Sequence, residues 1–170
     1  MMHPLRPALL LATLLLGACG PSGTAPVQPA ELTREHYCAL DGMLLADYPG
    51  PKAQIHYAGQ PTPEFFCDTV EMFALLLKPE QARQVTAAFV QDLDQTTWDA
   101  PKGAWIDAKK AFYVVGTRKR GAMGPTLPSF GSRAGAEKFA AAEGGKVLAY
   151  AEITPDMARL DGGALHDQRM

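Results

Sequence analysis

The sequence has no Cys-x-x-Cys pair, no His-Glu-x-x-His run and no EF-hand loop. Zinc and calcium sites of the usual spacing are therefore disfavoured. Positive charge is not in surplus. Lys and Arg number 16 against 18 Asp and Glu, and the one basic run, Arg118-Lys119-Arg120, is three residues long. Nothing here favours a phosphate backbone as partner, so no nucleic acid is expected. No apolar stretch reaches the ~20 residues that span a bilayer. Cysteine is scarce: Cys19, Cys38 and Cys67 are the whole complement of 170 residues.

The composition is otherwise that of a folded body, with 47% hydrophobic and 20% charged residues. Residues 1–18 read as a signal peptide. Arg6 supplies a positive n-region, and Pro7–Leu16 is an apolar stretch about half a bilayer span. It ends in Leu16-Gly17-Ala18-Cys19, which resembles the bacterial lipobox, where the cysteine is acylated and becomes the first mature residue. Cleavage removes Arg6 and no acid, so the formal charge moves from −2 to −3. Residues 19–36 then read as a lipid-anchored flexible tether, since Gly20–Ala30 is rich in small residues and proline without periodicity. Gly20 after the cysteine, rather than Asp, permits sorting to the outer membrane.

The body reads as one α+β unit written twice. Ala53–Tyr57 alternates as a strand and Glu64–Cys67 is a second. Asp68 caps a helix that carries Val70, Met72, Phe73, Leu76 and Leu77 towards Pro79, and Val85–Gln91 is a third strand. In the second half Trp105–Asp107 and Phe112–Val115 are strands around an Ala-Lys-Lys turn, and Leu127–Phe130 is a short strand. Ser132 caps a helix to Glu143, Gly144-Gly145 ends it, and Val147–Ile153 closes the unit. The first unit is expected over residues 37–96 and the second over 97–153. Residues 154–170 read as a loose tail.

The chemistry lies in sulfur. Beyond Cys19, two thiols remain, and a Cys38–Cys67 disulfide is one reading in an oxidising compartment. The other is a metal site, because thiolate and thioether sulfurs are soft donors that select Cu(I). Cys38 precedes Met43 by five residues with Gly42 between, a spacing that lets both sulfurs curl around one ion. Met123 stands among small and turn residues in Gly121-Ala122-Met123-Gly124-Pro125, a poor place for a core methionine. His36, two residues before Cys38, and Met72, inside the helix pattern, complete the candidate donors. Cys67, between Phe66 and the cap Asp68, reads as buried and inert, which leaves Cys38 a free thiol.

Cys38-x-x-Asp41-Gly42-Met43, followed by Tyr48-Pro49 and Ala53-Gln54-Ile55, resembles the NosL family of nitrous oxide reductase accessory lipoproteins. Trp105–Ala108, Tyr113–Gly116, Gly121–Gly124 and Gly144–Val147 continue the resemblance. Members often carry a second cysteine where this chain has Asp41. The resemblance implies a non-catalytic periplasmic Cu(I) chaperone that works with nitrous oxide reductase and an ABC-type membrane assembly complex. It also implies two related ββαβ units akin to the organomercurial lyase fold, with Cys38 and Met123 as copper ligands. The alternatives are a binding lipoprotein without metal chemistry and an organomercurial-lyase-like enzyme. The enzyme is disfavoured because only Cys38 with Asp41 stands in the motif.

Overall fold

The computed structural model describes residues 26–160. The signal peptide, Cys19 and the end of the tail lie outside the described residues. Among the described residues no helix is long and apolar enough to cross a membrane.

The first unit runs β1 (Ala53–Tyr57), β2 (Glu64–Phe66), α1 (Thr69–Leu76) and β3 (Val85–Gln91). β4 (Trp105–Asp107) follows and leads into β5 (Phe112–Val115), the first strand of the second unit. A small hairpin comes next, β6 (Arg120–Gly121) and β7 (Gly124–Pro125), and then β8 (Ser129–Phe130), α2 (Arg133–Glu143) and β9 (Lys146–Ala149). The first sheet is ordered β2-β1-β3-β4 and the second β8-β5-β9. In each unit the opening strand is central and pairs antiparallel with the other two. The internal repeat is thus present as one topology used twice.

Both helices begin where the sequence marks them. Asp68 Oδ1 accepts the Val70 amide and Glu71 reaches back to the Asp68 amide, a reciprocal cap on α1. Ser132 Oγ accepts the Gly135 amide at the start of α2. Gly144 ends α2 at φ 78°, a conformation that L side chains resist.

Strand alternation divides the core. Tyr113 of β5 turns into a main cluster with Ile55, Val90 and Phe73, while Val114 turns the other way under Phe130 and Ala136. The Phe73 and Tyr113 rings meet edge to face, centroids 4.9 Å apart, so α1 of the first unit packs on the second sheet.

Four details differ from the sequence expectation. β4 and β5 do not form a hairpin with each other: β4 pairs with β3 at the edge of the first sheet. The closing strand stops at Ala149, where Tyr150–Glu152 tightens into a 3-10 turn and Glu152 accepts the Ala149 amide. The expected tether is docked at its far end. Gln54 accepts the Ala30 amide at 2.8 Å and donates to the Ala30 carbonyl at 3.0 Å. The expected loose tail is ordered as far as it is described: Pro155–Ala158 forms a 3-10 turn with Ala158 buried.

Candidate metal centre

Tyr37–Leu44 is a tight loop closed by an isolated bridge between its two ends. The Cys38 amide donates to the Met43 carbonyl at 2.8 Å, and the Gly42 amide to the Cys38 carbonyl at 2.9 Å. Gly42 sits at φ 76°, which explains a glycine at this turn. Asp41 Oδ1 accepts the Met43 amide. The Ala39 amide donates to the Phe65 carbonyl of β2, which ties the loop to the first sheet.

That tie turns the cysteine inward. Ala39, Leu40, Asp41 and Gly42 are exposed, but Cys38 itself is only 3% exposed. The sequence places the thiol in an open, accessible turn; the structure opens the turn and buries its sulfur. Directly beneath lies the β2–α1 corner with Cys67 and Glu71, both fully buried. Glu71 Oε2 lies 3.2 Å from Cys38 Sγ and 3.3 Å from Cys67 Sγ. Both cysteines are free thiols. Ligand atoms of Cys38, Asp41, Cys67 and Glu71 all fall within 4.8 Å of one another.

Electrostatics make the two thiols unequal. Cys38 is held down at about 6, chiefly by hydrogen bonding from Cys67, with the Leu40 and Asp41 backbone adding and burial opposing. The Leu40 amide points at its sulfur from 3.4 Å. Cys67 is pushed up, first because it donates to Cys38, then by burial and by the Glu71 carboxyl. Glu71 is raised to about 8, first by burial and then by its contact with Cys38. The corner therefore favours the ionised form of Cys38 and the protonated forms of Cys67 and Glu71. Lys52 is the buried cation alongside. Its ammonium donates to the Tyr48, Pro49 and Cys67 carbonyls at 2.8, 3.1 and 3.1 Å. Burial lowers its proton affinity, and the neighbouring Asp68 and Cys67 oppose that.

The other sulfur candidates fall in different settings. Met43 is half-buried at the end of the Cys38 loop and packs on the main core. Met123 is half-buried in the two-residue turn of the β6–β7 hairpin, an element the sequence pattern did not reveal. Met72 is wholly buried among the core side chains of α1. His36 Nδ1 accepts the Thr33 amide at 2.9 Å, which places the proton of the neutral ring on Nε2 and leaves neither nitrogen an open lone pair. Its ring also packs edge-on against Phe65 at 4.5 Å.

Sequence reasoning missed Cys67 and Glu71 as members of this cluster. The readable signal was the Asp68-x-x-Glu71 capping box. It places Glu71 at N3, so the carboxyl points back towards Cys67 rather than outward.

Known proteins match along almost the whole body. The copper-binding lipoprotein NosL of Achromobacter cycloclastes is 44% identical over 161 residues, covering 90% of this chain and 82% of that protein. The protein of the same name from Stutzerimonas stutzeri is 34% identical over 177 residues, covering 98% and 92%. The crystal structure of the copper chaperone NosL from Shewanella denitrificans superposes with a TM-score of 0.73 at 36% identity, over 76% of this chain and 97% of that one. None of these names is that of an enzyme. The NosL family model matches residues 29–158, and with relatives this similar over this length the chain belongs to the NosL family.

Proposed function

We propose that this chain is a lipid-anchored Cu(I) chaperone of the periplasm that supplies copper for maturing nitrous oxide reductase. The observation that carries the reading is the meeting of two buried free thiols, Cys38 and Cys67, at one corner, where hydrogen bonding from Cys67 lowers the Cys38 thiol. A thiol that is already ionised at neutral pH binds a soft cation without first losing a proton. Family membership supports the choice of copper over other soft ions, since the relatives are named copper-binding.

Cys38 is the anionic donor and Met123 the thioether donor. A thioether adds softness without charge, so the metal is retained yet able to pass to an acceptor. Met43 is the third donor, being the other sulfur on the Cys38 loop. Met72 and His36 rank below it, one enclosed in the core and the other engaged with Thr33. Asp41, a hard carboxylate, and Glu71, protonated at neutral pH, are poor Cu(I) ligands. Cys67 acts through Cys38, as a hydrogen-bond donor to its sulfur.

Cys38 is only 3% exposed, so copper reaches the sulfur only after a local opening around it. Acylation at Cys19 anchors the chain, and Gly20 permits the outer membrane as destination. Anchoring confines the search to a surface and raises the effective concentration at a membrane-bound assembly complex of the ABC type. Anaerobic Cu(I) titration of the Cys19→Ser chain against a chromophoric chelator tests the reading. One tightly bound Cu(I) per chain supports it, and an absence of stoichiometric binding rejects it.

A further inference from the structure

The β6–β7 hairpin that carries Met123 is seated on one buried carboxylate. Gly121 lies so close to Asp68 that a Cβ there would fall 1.8 Å from Oδ2 and 3.0 Å from the Thr126 Cβ. Asp68 is 1% exposed. Its Oδ1 accepts the Val70 amide at 3.1 Å and is also in short contact with the Thr126 hydroxyl. Its Oδ2 is buried without a hydrogen-bond partner. The next residue, Thr69, donates to the Leu127 carbonyl at 2.6 Å. On its other side the Gly121 backbone approaches Gly50, whose amide donates to the Trp98 carbonyl at 2.7 Å.

Asp68 also serves the thiol cluster. Cys67 precedes Asp68, and the Asp68 amide donates to Glu71 Oε2, the oxygen shared by both sulfurs. One helix start thus holds the thiol corner on one side and the methionine hairpin on the other. A carboxylate left with an unsatisfied buried oxygen is costly to a fold. It persists here against a glycine that admits no side chain.

We propose that Asp68 and Thr126 are positioning residues for copper binding. Through their mutual hydrogen bond they fix the hairpin, and with it the Met123 sulfur, relative to Cys38. The inference rests on the reading of Met123 as a copper donor.

A double-mutant cycle in the full chain carrying Cys19→Ser tests it, with anaerobic Cu(I) competition as readout. Thr126→Val removes the hydroxyl at nearly constant volume, and Met123→Leu removes the sulfur. We expect Thr126→Val to weaken Cu(I) binding by up to about fivefold, the worth of one buried hydrogen bond if all of it is lost from the bound state. In the Met123→Leu background the same change should have no effect, because there is no thioether left to position. Thr126→Ser, which keeps the hydroxyl, should bind as the parent does. If Thr126→Val does not fold, Thr126→Ala replaces it in the cycle with the same expectation, since it too removes the hydroxyl that meets Asp68 and adds no bulk. Full affinity in Thr126→Val, or an equal loss with and without Met123, overturns the positioning role while leaving Met123 a ligand. Full affinity in Met123→Leu overturns both the positioning role and the ligand assignment beneath it.

Discussion

Replacing Cys67 by alanine separates two roles that its place beside Cys38 permits. In the parent, hydrogen bonding from Cys67 is the largest cause holding the Cys38 thiol at about 6 rather than the ordinary 9.0. At pH 7 a thiol at 6 is roughly nine-tenths ionised, whereas one at 9 is about one-hundredth ionised. Cu(I) must displace that proton, so complete loss of the effect lowers apparent affinity at pH 7 by about 90-fold. After the change the Leu40 and Asp41 backbone still lowers the thiol while burial still raises it, so the two residual effects oppose each other around that figure. At pH 9 the same arithmetic gives only about twofold, since an ordinary thiol is by then half ionised. Competition titrations of parent and Cys67→Ala at pH 7 and pH 9 read both numbers. A loss that is large at pH 7 and nearly gone at pH 9 is the expected result. A loss that persists undiminished at pH 9 refutes the reasoning and makes Cys67 a direct copper ligand.

Four further outcomes follow from the same corner and its anchor. In the parent, Cu(I) affinity should be little affected by Cys38 protonation above about pH 6 and fall near tenfold per pH unit below it, as a pH series of competition titrations would show. Glu71 is raised to about 8 from 4.5, so the folded chain holds its proton where the unfolded chain does not, and this group costs stability as pH rises through that window. Urea unfolding of apo Glu71→Gln should therefore gain on the parent between pH 5 and pH 8, and a constant difference would contradict it. Asp41→Ala should leave Cu(I) affinity nearly unchanged while Met123→Ala weakens it, both read by competition; the reverse order would reject the thioether assignment. Cys19→Ser should leave the membrane pellet for the soluble fraction with the body still folded, because each buried acyl methylene is worth about 0.8 kcal/mol of anchoring.

Much of the fold was written in local patterns. Alternation marks β1, β-branched and aromatic runs mark β3 and β5, and Asp68 and Ser132 mark both helices, because strand runs and caps are decided by neighbours in sequence. The β6–β7 hairpin was not legible. Its residues are small and carry no alternation, and it forms because Gly121 fits under Asp68, a contact across 53 positions of chain. The pairing of β4 with β3 likewise depends on the sheet edge left free by the first unit. The site divides in the same way. Cys38 and the glycine beside Met43 stood out locally, but the inward turn of the thiol depends on the Ala39 to Phe65 hydrogen bond. From its place between Phe66 and the cap Asp68, Cys67 reads as buried and inert. Its burial was correctly inferred, and only the folding of the 37–44 loop over the β2–α1 corner brings Cys38 within reach of it.

Cys38 is the residue on which the copper reading stands, since it supplies the thiolate that neutral sulfurs cannot replace. The direct measurement is anaerobic Cu(I) competition on Cys38→Ala beside the parent, both carrying Cys19→Ser, at pH 7. Near-complete loss of tight binding is the predicted result. Binding as tight as that of the parent would contradict it and move the metal away from this corner altogether.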